Sequence, residues 1–127
     1  MRLDVVYRGS LCLAYAFYDN SGRSPAMDFL ERLRRTNGNS YGALVRRAEN
    51  HVNYGPVANS AISRPIKGRG NLYEFKSHQG DRLLYFLLPG GDIVLIGGFH
   101  KGAPPEPEFD RAERLRGIIL TWFRRRG

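Results

Sequence analysis

The stretch YEFKSHQGDRLLYF, Tyr73 to Phe86, decides the fold. Two runs rich in aromatic and aliphatic residues flank Ser77-His78-Gln79-Gly80, a polar tetrapeptide ending in glycine. Runs of this kind joined by turn residues form a β-hairpin. Strand charges normally face solvent away from the apolar runs, yet a cation stands on each side of this turn. Lys76 precedes it and Arg82 follows it. Antiparallel pairing sets the two at the same end of the ladder.

Toward the C-terminus, Pro89-Gly90-Gly91-Asp92 is turn material, and DIVLIGGF then makes a third strand. DRLLYFLL and DIVLIGGF are apolar on both faces, so they are expected in the centre of a sheet. The last of them runs back toward the first turn. His100 and Lys101 therefore return to the level of Lys76 and Arg82. Gly97-Gly98 permits close approach of a backbone or ligand. HKGAPPEPEFD is a Pro-rich connector, and a helix is expected from about Glu106 to Phe123. Glu106, Glu108 and Asp110 load its start with acid, and Arg124, Arg125 and Arg126 load its end with base, as the helix dipole prefers. Trp122 and Phe123 are expected to pin this helix to the body.

Toward the N-terminus, VANSAISRPIKGRGN reads as a loop. Before it come two expected helices. Ser24 is an N-cap, Pro25 fits the first helical position, and Ala26, Phe29, Leu30 and Leu33 form a buried stripe. TNGNS ends that helix, with Gly38 as a C-cap or turn residue. The second covers roughly Tyr41 to Tyr54, with Leu44, Val45, Ala48 and Val52 inward and His51 at the edge of the stripe. DVVYRGSLCLAYAFYD supplies one or two further strands. The expected class is α+β: an antiparallel or mixed sheet of 4–5 strands, two N-terminal helices and a C-terminal helix, in one domain over residues 1–127.

Twenty Lys and Arg against twelve Asp and Glu give a net charge of +8, which favours a polyanionic partner. Only Lys67, Lys76 and Lys101 are lysines, and a lysine, unlike an arginine, can lose its proton when desolvated. The single cysteine, Cys12, excludes an internal disulfide and a Cys-rich zinc site, and reads as a small buried apolar residue. No charged segment followed by a long apolar run opens the chain, so no signal peptide or membrane span is read and a cytoplasmic location is expected.

RPIKGRGNLYEFK followed by DRLLYFLLPGGDIVLIGGFHKGAPPEPEFDRAERL resembles the RelE/HigB-like toxins of bacterial type II toxin–antitoxin systems, in their phage-derived host-inhibition branch. The shared pattern is a Lys/Gly loop, a strand carrying Leu-Tyr-Glu, a strand opened by arginine, an apolar strand ending in Gly-Phe-x-Lys, a Pro-containing linker and an Ala/Glu/Arg-rich helix. The resemblance implies a RelE-like, microbial-RNase-like fold. It implies an endoribonuclease that cuts mRNA in the ribosomal A site without metal or cofactor. It also implies a cognate antitoxin, of helix-turn-helix type, that silences the toxin and sets the oligomeric state.

Metal-free cleavage by the 2′-hydroxyl needs a base, cations for the phosphorane charge and an acid for the leaving oxygen. Lys76 stands where relatives place a cation that serves as base. Arg82 matches the strand-start arginine that binds the scissile phosphate, the plainer reading being a salt bridge with Glu74 or Asp81. His100 suits acid or base work near neutral pH. Lys101 matches the lysine after Gly-Phe-x. Lys67 and Arg69 flank Gly68 and are candidates for gripping RNA, as is Arg64. Tyr73, Phe75, Tyr85 and Phe86 read as core, and His78 as a solvated turn residue. The pattern departs near the last helix, where some relatives carry tyrosine or a second arginine and this chain has Phe109 beside Asp110 and Arg111. A ParE-like toxin that poisons DNA gyrase by binding, or a non-catalytic binding module, shares the same fold and stays open.

Overall fold

The computed structural model describes residues 1–126. Among them the chain forms β1 (Arg2–Arg8), β2 (Leu13–Tyr18), α1 (Pro25–Thr36), α2 (Gly38–Tyr54), β3 (Ser63–Pro65), β4 (Tyr73–Lys76), β5 (Asp81–Leu87), β6 (Ile93–His100) and α3 (Glu106–Arg126). One mixed sheet has the order β1-β2-β6-β5-β4-β3. The class is α+β, as expected. The strands number six, not four or five; α1 and α2 follow the β1–β2 hairpin, and β3 is added before the expected meander.

The β4–β5–β6 meander is antiparallel throughout, and β2 joins β6 in parallel. The largely apolar strands β5 and β6 are central, because both their faces are covered. On one face α1 and α2 bury Phe29, Leu30, Leu44 and Val52 against Phe75, Leu83, Tyr85 and Leu95. On the other, Ala112 and Ile119 of α3 join Leu72, Leu84, Phe86, Val94 and Ile96, with Phe123 packed alongside. Trp122 stays half-buried, with Arg126 over its ring at 4.8 Å. Cys12 is likewise only half-buried.

Three local readings need correction. First, β3 lies inside the expected loop. It is a three-residue outer strand, and the edge position tolerates Pro65, which lacks a ladder donor. Second, Gly38 starts α2 and does not end α1. Asn37 serves both helices: its backbone N–H bonds to Leu33 O and its side chain accepts from Ser40 N at 3.2 Å. Third, His51 is buried, not at an edge. Its ring meets Phe75 and Tyr85 edge-on at 5.8 and 5.6 Å, and burial holds its pKa below the ordinary histidine value.

The Ser77–Gly80 turn is closed by Ser77 N–H donating to Asp81 O and by Gly80 N–H donating to Ser77 O. Gly80 has φ +98°, where a side chain would be strained. Opposite Leu84 the ladder between β5 and β6 slips by one residue, a bulge at Ile96 and Gly97. Gly98 lies under α1. A Cβ there would sit 2.2 Å from Phe29 Cδ2, so the helix reaches the sheet only because the side chain is missing.

Candidate functional site

Register fixes which side chains share a face. Lys76 pairs with Arg82, Arg82 with Phe99, and Asp81 with His100. The last strand thus returns to the level of the first turn, as its direction requires. Alternation then separates the four expected catalytic residues. Lys76 and Arg82 lie on the α3 face with Glu74 and Leu84, whereas His100 lies with Asp81 on the α1–α2 face.

The α3 face carries the cations. Glu74 is buried beneath them, and its Oε1 receives Arg64 Nε at 2.9 Å and faces Arg82 Nε at 3.6 Å. Arg82 is only 12% exposed. Its Nη1 also donates to Asp81 O at 3.1 Å and Ser77 O at 3.5 Å, so the guanidinium is held from two sides. Lys76 Nζ donates to Ser60 O at 3.1 Å. Desolvation, then the charges of Arg64, Arg82 and Lys101 against the pull of Glu74, hold the Lys76 ammonium below the ordinary lysine pKa. Arg64, Arg82 and Lys101 thus lie near enough to act on Lys76, against the single buried carboxylate of Glu74.

The α1–α2 face carries a hydrogen-bonded chain. Ser77 and Ser40 hydroxyls meet at 2.6 Å, Ser40 Oγ donates to Asp81 Oδ2, and His100 Nδ1 lies 3.0 Å from Asp81 Oδ1. Asp81 is buried, while the His100 side chain is 64% exposed. Donating Nδ1–H to Asp81 fixes the tautomer and leaves Nε2 for a substrate. At the turn the two faces meet. A Cβ on Gly80 would come within 3.2 Å of His100 Cε1 and 3.1 Å of Lys101 Cγ, so both side chains lean over the glycine.

The loop residues part company. Lys67 is exposed. Arg69 is committed to α3, with Nη1 2.6 Å from Asp110 Oδ1 and 3.5 Å from Glu113, and its guanidinium lies 5.6 Å from the Phe109 ring centre. Phe109 itself packs edge-on against Phe99. Tyr85 hydroxyl reaches Ser63 Oγ at 2.8 Å, and Tyr73 stacks on Tyr85, so these rings build the sheet.

Sequence reasoning missed Ser40, Ser77 and Asp81 as the support of His100. The Asp81 pairing was within reach, since the meander register alone sets it opposite His100. Ser40 carried no signal, because its contact depends on where α2 docks. Among the described residues no group of three or more His, Cys, Asp or Glu is placed to hold a metal, and no helix is long and apolar enough to cross a membrane. No family model and no curated protein matches the chain.

Proposed function

We propose that this chain is the toxin of a type II toxin–antitoxin module, a ribosome-dependent endoribonuclease of RelE-like fold that cleaves mRNA. The observation that carries this reading is the cation cluster of Arg64, Lys76, Arg82 and Lys101 at one open end of the sheet. Arg82 is pre-set by its carbonyl partners to hold the scissile phosphate, and preorganised donors cost no rearrangement as charge develops. Lys76, with a depressed pKa, takes the proton from the 2′-hydroxyl, and Lys101 offsets the charge on the phosphorane. His100 in its imidazolium form, with Nδ1–H held by Asp81, gives its Nε2 proton to the leaving 5′-oxygen across the turn. An acidic segment of an antitoxin would cover the same edge, by steering that weakens with salt.

One observation favours a binding-only role, as in a ParE-like gyrase inhibitor. Arg82 and Arg64 already share Glu74, so both have a structural task. Cleavage of mRNA in a purified translation system separates the two readings. Wild type, Lys76→Ala and Arg82→Lys are compared with and without ribosomes. Ribosome-dependent cuts that fall by about 100-fold or more in both variants support the nuclease. A folded wild type that never cuts overturns it and directs the next assay to gyrase supercoiling.

A further inference from the structure

A second basic site lies on the opposite side of the Ser77–Gly80 turn. A pocket of about 480 Å³ opens between α2 and the turn, lined by Gly38, Asn39, Arg46, Arg47, His78 and Gln79 among others. No carboxylate lines it. Arg46 and Arg47 form no ion pair among the described residues, although the chain offers twelve acids.

Both guanidiniums lie back along α2 toward its start. Arg46 Nη1 comes within 3.3 Å of where a Gly42 Cβ would stand, so the glycine makes room for it. Arg47 Nη1 donates to Ala43 O at 3.2 Å. The first turn of α2 contains no acid to pair with either guanidinium. Arg47 Nε is buried within the protein without a hydrogen-bond partner, which leaves its Nη groups as the part of the guanidinium that can meet a ligand. Desolvation and the Arg46 charge lower the Arg47 pKa, in keeping with positive charge left unbalanced. An anion with several acceptor oxygens would balance the two unpaired charges that line the pocket.

We propose that this pocket binds a backbone phosphate of the same RNA strand whose scissile phosphate lies at Arg82, so that the strand passes over the Ser77–Gly80 turn. This inference rests on the nuclease reading above. The turn joins the two sites: Lys76 precedes it, His78 and Gln79 line the pocket, and Arg82 follows it. Its exposed residues, His78 and Gln79, and the Lys101 side chain across Gly80 lie between the two sites.

The test measures binding of single-stranded RNA by fluorescence anisotropy across a salt series, using the intact chain. The probes are a dinucleotide and an oligonucleotide of about ten nucleotides. Arg46→Ala and Arg46→Glu suit the purpose because Arg46 is exposed, and thermal melts confirm that the variants fold. The expected result is weaker binding of the long RNA, with its log–log salt slope shallower by about 0.7 for Arg46→Ala. Dinucleotide binding stays unchanged. Wild-type affinity and slope for the long RNA in both variants overturn the pocket assignment, while loss of binding in Lys76→Ala at the same time leaves the nuclease reading standing. Loss of affinity for an oligoglutamate peptide but not for RNA also overturns it, in favour of a protein partner. A wild type that binds neither RNA overturns the pocket assignment and leaves the nuclease reading to the translation assay above.

Discussion

At the scale of single residues, Glu74 is the member of the site whose removal separates stability from chemistry. Its carboxylate is buried and shared by Arg64 and Arg82. Removing one partner of a buried pair strands the other, which costs about 3 kcal/mol or more, whereas replacing both with apolar groups of similar shape is often neutral. Arg82→Met leaves Glu74 to the half-exposed Arg64 and should lower the unfolding free energy by roughly 1–3 kcal/mol, and Glu74→Leu combined with Arg82→Met should recover part of that loss. Under the nuclease reading the double variant stays inactive although it folds. Chemical denaturation beside the cleavage assay checks this, and a double variant that cuts RNA would show that Arg82 only braces the sheet. His51 gives a second, pH-dependent outcome. Burial lowers its folded-state pKa below the unfolded 6.5, so the unfolded chain binds the extra proton first. Stability is then full above the unfolded value and falls as pH drops from 6.5 through the depressed folded value. The variant His51→Phe keeps an aromatic ring against Phe75 and Tyr85 and removes the titration. Wild type should lose more stability than this variant between neutral and mildly acidic pH, read from denaturant midpoints. Parallel pH curves for the two would remove His51 from the account.

At the scale of elements, α1 and β6 form the tightest seam. The Phe29 ring occupies the space where Gly98 lacks a side chain. Gly98→Ala should cost roughly 1–3 kcal/mol by overpacking. Phe29→Leu in the same chain should relieve part of that cost, a coupling that a double-mutant cycle reads directly. Strict additivity would mean that the seam yields elsewhere. This contact was partly legible: the Gly97-Gly98 pair announced a close approach, but not that a helix, and not a ligand, would fill it at Gly98. The hairpin was legible in full, because alternation, turn residues and strand length all agree from Tyr73 to Phe86. The caps of α1 were legible for the same reason, as Ser24 and Pro25 act locally. What stayed hidden depends on distant parts of the chain. Ser63–Pro65 pairs only because β4 offers an edge, and a proline in a Gly/Ser-rich run masks such a strand. His51 goes inward only because Phe75 and Tyr85 arrive from the sheet to meet its ring. The end-of-sheet level of Lys76, Arg82 and His100 followed from strand direction, but their division between two faces needed the register to the residue.

At the scale of the whole molecule, the charge of +8 is distributed with a purpose that salt can test. Many arginines are neutralised locally, as in Arg69 with Asp110 and Glu113, Arg34 with Glu31, and Arg111 with Glu108. These tie elements together and leave little field for a partner. Part of the surplus lies at the end of the sheet and around the Ser77–Gly80 turn, and part elsewhere, as in Arg124, Arg125 and Arg126 at the end of α3. If Lys76, Arg82, Lys101 and Arg46 each neutralise one phosphate, counterion release sets the slope of log K against log salt near −2.8 for single-stranded RNA, at about 0.7 per contact. Binding should then weaken by about 50-fold between 50 and 200 mM salt, with single-site variants each shallower by about one contact. Charge-neutralising changes at Arg34 or Arg111, which are already paired, should leave the slope unchanged. Anisotropy titrations at four or more salt concentrations provide the measurement. A slope that tracks total net charge, falling equally for Arg34→Ala and for Lys76→Ala, would mean that RNA meets a diffuse basic surface. A slope that responds only to the four named cations would mean that it follows one track across the turn.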